Sequence, residues 1–338
     1  MGHRSCRKRG CRVTTATRLF ADERWIGTHG IGRYSREVLG RVRTPWQPLR
    51  AQGSPSSARA AFHLPRAVRP GDTIYSPGYN AFATTKNPQL VTLHDLIHLD
   101  VSGPKRAAYA AYYWRVIRPA IRRAGTVITV SETSRERISR WIRDDAVDIV
   151  NAGNAVSDAF VVEGQAVDMP RDFVLYVGNL RPHKNVDTLM RAVALSEFGA
   201  VFVLPADDVV PARQKLQALG LSDRAEVLHG IDDNLLAHYY RGAAVTAMPS
   251  TIEGFGLPAL ESVSCGTPVL YWSGCASVAE IVGERGVGVA DAHNSQEWAD
   301  QLIAAASLKP SSGWPSSRPT WDDVARRVDQ TLTRFIAH

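Results

Sequence analysis

The sequence predicts an α/β fold of two Rossmann-like domains, each with a parallel sheet, that face each other across a cleft. The chain has 338 residues, which is too many for one compact core and suits two domains of about 150 residues each. Short apolar segments of strand length alternate with helical segments, as in a doubly wound sheet. A polar segment at residues 164–171 interrupts this alternation. Ligands of open α/β sheets bind beyond the carboxyl ends of the strands, so the cleft is the expected site.

The composition is that of a soluble globular enzyme, with 44% hydrophobic and 22% charged residues. No apolar run approaches the roughly 20 residues that a membrane-spanning helix needs. The basic N-terminus lacks the apolar segment of a secretory signal. Four cysteines without a Cys-x-x-Cys pair or a nearby histidine cluster favour a reducing compartment and no zinc site. We therefore expect a cytoplasmic protein, and leave open a peripheral contact with the inner face of the cell membrane.

Charge is distributed unevenly along the chain. Residues 1–170 contain 26 Lys and Arg against 14 Asp and Glu, whereas residues 171–338 contain 14 against 19. A basic half attracts anionic lipid, nucleic acid or a phosphorylated substrate, but a solvated arginine-rich surface has the same composition. No recognised nucleic-acid-binding module accompanies the charge, so we expect no nucleic-acid partner. Contact with an anionic membrane stays an alternative to a merely solvated surface.

Residues 15–165 are the predicted N-terminal domain, preceded by a basic tail at 1–14 that is predicted to be disordered. Its strands are short and apolar and are predicted at Thr15–Phe20, Thr73–Tyr75, Leu90–Leu93, Val127–Val130 and Asp148–Val150. Its helices are predicted at Arg33–Val42, Lys105–Ala124 and Ser131–Arg143. Residues 44–72 show no clear period. The helix at Lys105–Ala124 mixes aromatic and arginine side chains, and we favour core packing with a solvated arginine face over membrane contact.

Residues 170–310 are the predicted C-terminal domain, followed by a final helix within residues 320–338 for which a return to the N-terminal domain is left open. Its strands are predicted at Phe173–Val177, Ala200–Leu204, Glu226–Leu228, Val245–Met248 and Pro268–Tyr271. Its helices are predicted at Val186–Ser196, Pro211–Leu219, Asn234–Arg241, Leu257–Ser264, Ser277–Val282 and Ser295–Ala306. The last helix is predicted at Trp321–Ala337. The two series of strands and helices predict one parallel sheet in each half.

One segment combines the features of a ligand-binding loop. Glu253 and Glu261 are eight positions apart, the first on the loop after a predicted strand and the second within the following helix. Gly254 and Gly256 let the backbone approach a ligand closely. The start of the helix adds N–H groups and a positive dipole end that favour an anion. The loop therefore offers a carboxylate for hydroxyl groups and a cradle for phosphate.

The segment Pro249–Val269, with its Glu-x7-Glu spacing, resembles the signature of glycosyltransferase family 4. The resemblance implies the two-domain GT-B fold, with a C-terminal domain for the nucleotide-sugar and an N-terminal domain for the acceptor. It implies that Glu253 contacts the donor sugar and takes part in catalysis, and that Glu261 holds the nucleotide ribose. The backbone at Gly254, Phe255, Gly256 and Leu257 is then expected to lie against the sugar and the diphosphate.

A second segment, Val177–Asn185, resembles the strand–loop–helix motif whose lysine binds the donor diphosphate in that family. Lys184 matches this lysine and is expected to be catalytic, because a cation stabilises the charge that builds on a departing diphosphate. The chain departs from the family where it has Asn179 and His183 in place of frequent arginines. Arg181 is proposed as a donor-binding residue that compensates for them.

Three segments of the N-terminal half also match the family, in the family's order. Gly30-Ile-Gly32-Arg-Tyr34 resembles the loop that faces the diphosphate and the acceptor, and it does not fit a dinucleotide motif because Ser35 stands where a third glycine would be needed. His94-Asp95 resembles the family's His-Asp turn, which implies a catalytic His94 near the anomeric carbon. The residues expected to contact the acceptor are Tyr34, Asp95 and Ser131, of which Ser131 also has the character of a helix cap.

The resemblance implies a retaining glycosyltransferase that moves a hexose from a nucleotide-sugar to a saccharide. The Pro-His-Lys-Asn loop and the His-Asp turn are similar to those of bacterial mannosyltransferases, which favours GDP-mannose as donor. The expected acceptor is a lipid-linked saccharide in cell-surface polysaccharide synthesis. No Asp-x-Asp motif is present, so no cofactor and no obligatory metal are expected. The alternatives are a UDP-sugar donor, a non-catalytic GT-B partner subunit, and a GT-B enzyme of another reaction such as an epimerase.

Overall fold

The computed structural model describes residues 17–27, 30–55, 57–100, 106–308 and 319–337. The basic tail predicted at residues 1–14 lies outside the described residues. The strand predicted from Thr15 begins, in the described part, at Leu19. Within the described ranges no helix is both long and apolar enough to cross a membrane.

Among the described residues, the N-terminal domain contains six parallel strands. Four form one sheet in the order β2-β1-β3-β4, and the pair β5-β6 continues it through a parallel bridge between Thr92 and Ile128. The strands are β1 (Leu19–Ala21), β2 (Trp46–Pro48), β3 (Thr73–Ser76), β4 (Gln89–Val91), β5 (Thr126–Thr129) and β6 (Asp148–Asn151). The helices are α1 (Gly30–Leu39), α2 (Ile97–Asp100), α3 (Arg106–Tyr112), α4 (Arg118–Ala124) and α5 (Glu132–Ile142).

The C-terminal domain is built on a six-stranded parallel sheet of order β12-β11-β10-β7-β8-β9. Its strands are β7 (Phe173–Val177), β8 (Gly199–Val203), β9 (Ala225–Leu228), β10 (Val245–Met248), β11 (Val269–Trp272) and β12 (Gly286–Val289). Its helices are α6 (Val186–Ala194), α7 (Ala206–Ala218), α8 (Asp233–Gly242), α9 (Leu257–Ser264), α10 (Ala276–Val282) and α11 (Ser295–Ala306).

The C-terminal sheet is covered on both faces, which explains why its central strands β7 and β8 are apolar throughout instead of alternating. In the C-terminal domain, neighbouring residues of β7 point to opposite cores: Val174 packs with α6 and α11, and Leu175 packs with α8 and α9. Each such side chain contributes about 1.5–3 kcal/mol when it is fully buried. The two apolar layers hold the carboxyl ends of the strands in fixed positions, where the loops of the site begin.

The last helix, α12 (Trp321–Ala337), lies on the N-terminal domain. Apolar residues at helical spacing bury one face against α1: Trp321, Val324, Val328 and Leu332. On its other flank, the Asp329 carboxylate accepts hydrogen bonds from the N–H (2.8 Å) and the hydroxyl (2.7 Å) of Thr44. The chain therefore crosses from one domain to the other twice.

The first crossing comes earlier than the polar segment predicted to be the boundary. Ala152 and Ala155 belong to the core of the N-terminal domain, whereas Val156 and Phe160 pack into the C-terminal core. The segment at 164–171 is instead a surface connection, held by the Arg241 side chain through the Gln165 carbonyl (2.7 Å). The polar residues of this segment therefore indicate an exposed connection and not a domain boundary.

Several elements differ from the sequence-based prediction. β2 lies within residues 44–72 and was missed because a three-residue, half-exposed edge strand carries no period. β12 was missed because two of its four residues are glycine. α1 begins at Gly30 and not at Arg33, so the expected glycine loop is the first turn of a helix. Gly32 allows this start, because a Cβ there would lie 2.6 Å from the backbone of Gly27.

The helix predicted at Lys105–Ala124 is described from Arg106 onwards and is interrupted by a π-helical turn at Tyr113–Ile117. Pro119 lies just after this turn, and its missing N–H removes one hydrogen bond of a regular helix. The buried side chains Tyr113, Ile117 and Ile121 pack on the sheet, as the favoured reading of this helix expected. Trp114 and the arginines at 115, 122 and 123 are exposed.

Candidate active site

The candidate site lies where the carboxyl ends of both sheets face each other. On the C-terminal side, the loops after β7 and β10 carry Lys184 and Glu253. On the N-terminal side, α1 follows β1, the His94-Asp95 turn follows β4, and Ser131 follows β5. Parallel strands align these loops at one edge of each sheet, so the topology alone brings the predicted segments to the cleft.

Lys184 and Glu253 form an ion pair within the C-terminal domain, with 2.6 Å between Nζ and Oε1. Their side chains are only 17% and 10% exposed. The two loops are tied together by the Thr251 N–H, which donates to the His183 carbonyl at 2.8 Å. The Ser277 hydroxyl donates to the Glu253 carbonyl at 2.9 Å. A cation and a carboxylate are thus held side by side at the mouth of the cleft by contacts of their own domain.

The neighbouring loop residues shape this cation site. Asn179 uses its side-chain oxygen to accept from the Arg181 N–H at 3.1 Å, so it builds the turn and brings no charge. Burial, followed by the nearby Lys184 ammonium, lowers the pKa of His183. Its Nδ1 is buried without a hydrogen-bond partner among the described residues. Arg181 is exposed. Burial lowers the pKa of His98, which the negative charge of Asp95 opposes and the positive charge of Arg181 reinforces.

Glu261 lies on α9 with both carboxylate oxygens engaged. Arg33, from α1 of the opposite domain, donates to Oε1 at 3.0 Å, and the Tyr240 hydroxyl donates to Oε2 at 2.9 Å. The same guanidinium forms a second ion pair with Asp233 at 2.6 Å. Burial raises the pKa of Glu261, while Arg33 and the hydrogen bond from Tyr240 oppose that rise. Sequence reasoning missed Arg33, although it stands inside the Gly30–Tyr34 motif.

The segment from Gly254 to Leu257 lies between the two domains and contacts both of them. The Gly254 carbonyl accepts hydrogen bonds from the hydroxyls of Ser131 (3.2 Å) and Ser134 (3.0 Å). A Cβ on Gly254 would overlap the Asp95 carboxylate, so only glycine fits there in this conformation. Phe255 packs against the cores of both domains.

Gly256 starts α9 with a φ of 102°, a left-handed conformation that glycine adopts without strain. Opposite it, a Cβ on Gly30 would lie 3.6 Å from the Leu257 side chain. The first turns of α1 and α9 therefore meet across the cleft. This brings together the two segments that the resemblance assigns to the diphosphate.

A second contact between the domains caps α5. The Glu280 carboxylate, on α10, accepts hydrogen bonds from the N–H groups of Glu132 and Thr133, both at 3.0 Å. It also accepts from the Thr133 hydroxyl at 2.8 Å. A carboxylate at a helix N-terminus satisfies free N–H groups and interacts favourably with the helix dipole. Sequence patterns gave no signal for Glu280, because its partners lie in the other domain.

His94 and Asp95 lie on the N-terminal side of the cleft, where His94 is buried, with 7% of the residue exposed, and Asp95 is partly exposed. The His94 Nε2 lies 2.9 Å from the Pro77 carbonyl, which can only accept, so this nitrogen carries the proton. The imidazole packs edge-on against the Tyr34 ring, with 4.8 Å between centroids. The Asp95 carboxylate accepts from the Ile97 N–H at 2.9 Å and so caps α2.

Two predicted acceptor contacts need correction for this conformation. Tyr34 is fully buried, because its position on α1 points into the core beneath the cleft. Ser131 is buried as well, and its hydroxyl caps α5 by accepting from the Ser134 N–H at 3.0 Å. Neither side chain is available to a saccharide here. Asp95 is the predicted acceptor residue that stays partly exposed.

Two family models match the chain, and together they cover both domains. "Glycosyltransferase Family 4" matches residues 3–158, and "Glycosyl transferases group 1" matches residues 161–316. The division between the matches falls close to the crossing seen in the structure.

Curated relatives carry related names. The chain is 29% identical over 220 residues to O-antigen chain mannosyltransferase B of Escherichia coli, a match that covers 60% of this chain and 57% of the relative. It is 26% identical over 185 residues to O-antigen chain mannosyltransferase RfbU of Salmonella typhimurium, covering 54% and 51%. It is 30% identical over 262 residues to D-inositol 3-phosphate glycosyltransferase of Mycobacteroides abscessus, covering 65% and 56%. The chain thus spans little more than half the length of these relatives.

Solved structures share the architecture at low identity. Sucrose-phosphate synthase from Thermosynechococcus elongatus superposes with a TM-score of 0.70 and 19% identity, covering 95% of this chain and 99% of that one. WaaG, a glycosyltransferase involved in lipopolysaccharide biosynthesis, superposes with a TM-score of 0.63 and 13% identity, covering 93% and 95%. These neighbours confirm the predicted fold of two Rossmann-like domains. With the matched models and the paired loops of the cleft, the chain belongs to glycosyltransferase family 4 and has the GT-B fold.

Proposed function

We propose that this protein is a retaining glycosyltransferase that transfers a hexose from a nucleotide-sugar to a saccharide acceptor. The observation that carries the proposal is the pairing of Lys184 with Glu253 beside the start of α9. A sugar diphosphate needs a cation for its phosphates and a hydrogen-bond acceptor for its hydroxyls. The two side chains satisfy each other in this conformation, and we propose that both turn to the ligand when it enters the cleft.

In the proposed reaction the diphosphate is the leaving group and also accepts the proton of the acceptor hydroxyl. The bond between the anomeric carbon and the phosphate oxygen breaks as positive charge develops on the sugar. Lys184, the N–H groups at the start of α9 and the backbone at Gly30 and Gly32 stabilise the negative charge that the diphosphate gains. The acceptor hydroxyl attacks from the same face and passes its proton to a leaving phosphate oxygen, so the configuration is retained and no protein nucleophile is needed.

His94 is proposed to act beside the anomeric carbon. Its ring is fixed by the Pro77 carbonyl and the Tyr34 face, which holds it rigidly at the cleft wall. Arg181 lies on the loop before Lys184, and we propose that it contacts the donor when the cleft is occupied. The proposed mechanism requires no divalent metal. Activity that returned only on adding Mn²⁺ after EDTA treatment would contradict this.

We favour mannose as the sugar and GDP-mannose as the donor, because two relatives bear the name mannosyltransferase. A UDP-sugar is the alternative. The favoured acceptor is a lipid-linked saccharide of a cell-surface polysaccharide. A phosphorylated acceptor would suit the basic N-terminal half, and the inositol 3-phosphate enzymes are named for such an acceptor. The exposed Trp114 and its arginine neighbours offer a surface for anionic lipid.

Thermal unfolding in the presence of GDP, UDP, ADP and their sugar conjugates tests the donor site. A ligand that binds only the native state raises the Tm with its occupancy. We expect GDP and GDP-mannose to raise the Tm of the wild type, and the Glu253→Ala and Lys184→Ala variants to lose most of that response. Product analysis with GDP-mannose and a lipid-linked acceptor then tests turnover and retention.

The other outcomes distinguish the alternatives. A larger response to UDP and a UDP-sugar would keep the enzyme class and replace the donor. Hydrolysis or isomerisation of the donor without an acceptor would indicate another GT-B reaction. If no nucleotide shifts the wild type, with or without saccharide, the non-catalytic partner subunit replaces our proposal.

A further inference from the structure

Arg33 is bound to the carboxylate of Glu261, which the family resemblance assigns to the nucleotide ribose. Its guanidinium bridges Glu261 at 3.0 Å and Asp233 at 2.6 Å, although it belongs to α1 of the opposite domain. The Glu261 side chain is 6% exposed and that of Arg33 is 18% exposed. This contact is a well-covered ion pair and not a chance meeting of two surface side chains.

The identity of the two partners shows which oxygen of Glu261 faces the cleft. Tyr240 belongs to the same domain as Glu261 and binds Oε2 from within the fold. Arg33 reaches Oε1 from across the cleft, so Oε1 is the oxygen turned towards an incoming ligand. A hydroxyl group that enters the cleft can bind Oε1 in this arrangement only by displacing the guanidinium. Ligand and Arg33 therefore compete for the same atom.

A displaced Arg33 has another anion within reach. Gly30 lies one helical turn before Arg33 and opposite Leu257, and Glu261 lies one turn after Leu257. The two helices thus align a phosphate position and a carboxylate position about one turn apart. An arginine fork binds a phosphate oxygen pair as well as it binds a carboxylate. Asn179, on the loop after β7, brings no positive charge to the cleft.

We propose that Arg33 is an internal competitor at the nucleoside end of the cleft, which exchanges Glu261 for the diphosphate when a nucleoside diphosphate binds. The proposal rests on the proposed function, because it takes the cleft as a nucleotide-sugar site. It assigns to Arg33 a role in donor selection. A nucleoside alone must break the ion pair between Arg33 and Glu261 and offers the guanidinium no other anion. A nucleoside diphosphate breaks the same pair but provides its phosphates as a new partner for Arg33. The exchange favours ligands that carry the diphosphate.

Calorimetric titration of the full chain tests this exchange with guanosine, GDP, uridine and UDP. Arg33→Met removes the competitor and the diphosphate partner together. We expect it to bind the nucleoside of the preferred base about tenfold more tightly than the wild type, if the paired form outweighs the free form by about ten to one. The nucleoside diphosphate should gain nothing or bind more weakly. The ratio of nucleoside Kd to nucleoside diphosphate Kd should therefore fall.

Arg36→Met is the matched control, since Arg36 lies on the same helix, has a side chain that is 53% exposed, and pairs with its neighbour Glu37 at 3.2 Å. It should leave both affinities unchanged. Arg33→Lys guards against misfolding of the methionine variant: it keeps the charge but cannot bridge Glu261 and Asp233 together, so nucleoside binding should tighten while diphosphate binding persists.

Unchanged or weaker nucleoside binding in folded Arg33→Met and Arg33→Lys would overturn the proposal while leaving the donor site intact. If Arg33→Met binds the nucleoside and the nucleoside diphosphate more tightly by the same factor, Arg33 does not move to the diphosphate and that part of the proposal is wrong. If neither the wild type nor the variants bind any of the four ligands, the proposed function fails together with it.

Discussion

Glu253 and Glu261 stand eight residues apart on one loop and helix, but their charges are balanced in different ways. Glu253 is paired with Lys184 of its own domain, and its backbone is held by Ser277 of the same domain. Glu261 is paired with Arg33 of the other domain. A relative movement of the domains would leave the first pair intact and would separate the second, because only the second joins the two domains.

This difference suggests that the two ends of the donor site are controlled separately. The end at Glu253 is organised before a ligand arrives, which suits a site where charge develops during reaction. The end at Glu261 reports on domain closure. Three variants test this difference between the two ends of the donor site.

The largest effect is expected from Lys184→Ala. Loss of one preorganised cation at a developing negative charge lowers kcat by about 10²–10³-fold. Steady-state kinetics with the preferred donor measures it, and the drop should appear in kcat more than in KM. Lys215→Ala is the control, because Lys215 forms an exposed pair with Asp187 at 2.5 Å and should leave kcat unchanged. A purely higher KM with normal kcat would show that Lys184 binds the ground state only.

A smaller effect is expected from Glu280→Ala, which removes the cap on α5 that joins the domains. Loss of a helix cap costs about 0.5–2 kcal/mol, and here the cost falls on the closed form. Small-angle scattering should show a larger radius of gyration without donor. Nucleoside affinity should rise, because opening withdraws Arg33 from Glu261. Glu284→Gln, on the exposed segment after α10, should change neither quantity. An unchanged radius with altered affinity would contradict the link through domain opening.

The smallest effect concerns pH and the stability of the fold. Burial raises the pKa of Glu261 above its ordinary value of 4.5. Above pH 4.5 the unfolded chain has released this proton while the folded protein still holds it, so the free energy of unfolding falls as the pH rises towards the raised pKa. Urea unfolding at a series of pH values should show Glu261→Gln gaining stability relative to the wild type across this window. The opposite slope would mean that Arg33 and Tyr240 outweigh burial.

Sequence patterns predicted the elements that carry the site better than those at the sheet edges. β7, β10 and α9 have the predicted bounds, because Gly178, Pro249 and Gly266 follow them within two residues and interrupt the pattern. β2 and β12 lie at the sheet edges, where short and exposed strands give little pattern. Local sequence thus predicts the centre of a sheet more readily than its edge.

The same contrast applies to the residues of the cleft. The Lys184 and Glu253 loops were predicted, since each follows a strand at the edge where ligands bind. The ion-pair partner of Glu261 was not predicted, because Arg33 lies 228 positions away in the sequence and the contact depends on how the two domains are arranged. Tyr34 was assigned to the acceptor from its motif neighbours, whereas helical spacing from Gly30 would have given it a core role. For Ser131, the sequence predicted a helix cap beside an acceptor contact, and the structure shows the cap.

The return of α12 to the N-terminal domain limits how the cleft can move. The chain passes between the domains after Ala155 and again between α11 and α12, so the C-terminal domain is attached at two points. Two connections limit the relative displacement of the domains more than a single connection does. Any separation of the domains must also keep α12 in its place on α1, because the buried face of α12 belongs to the N-terminal core.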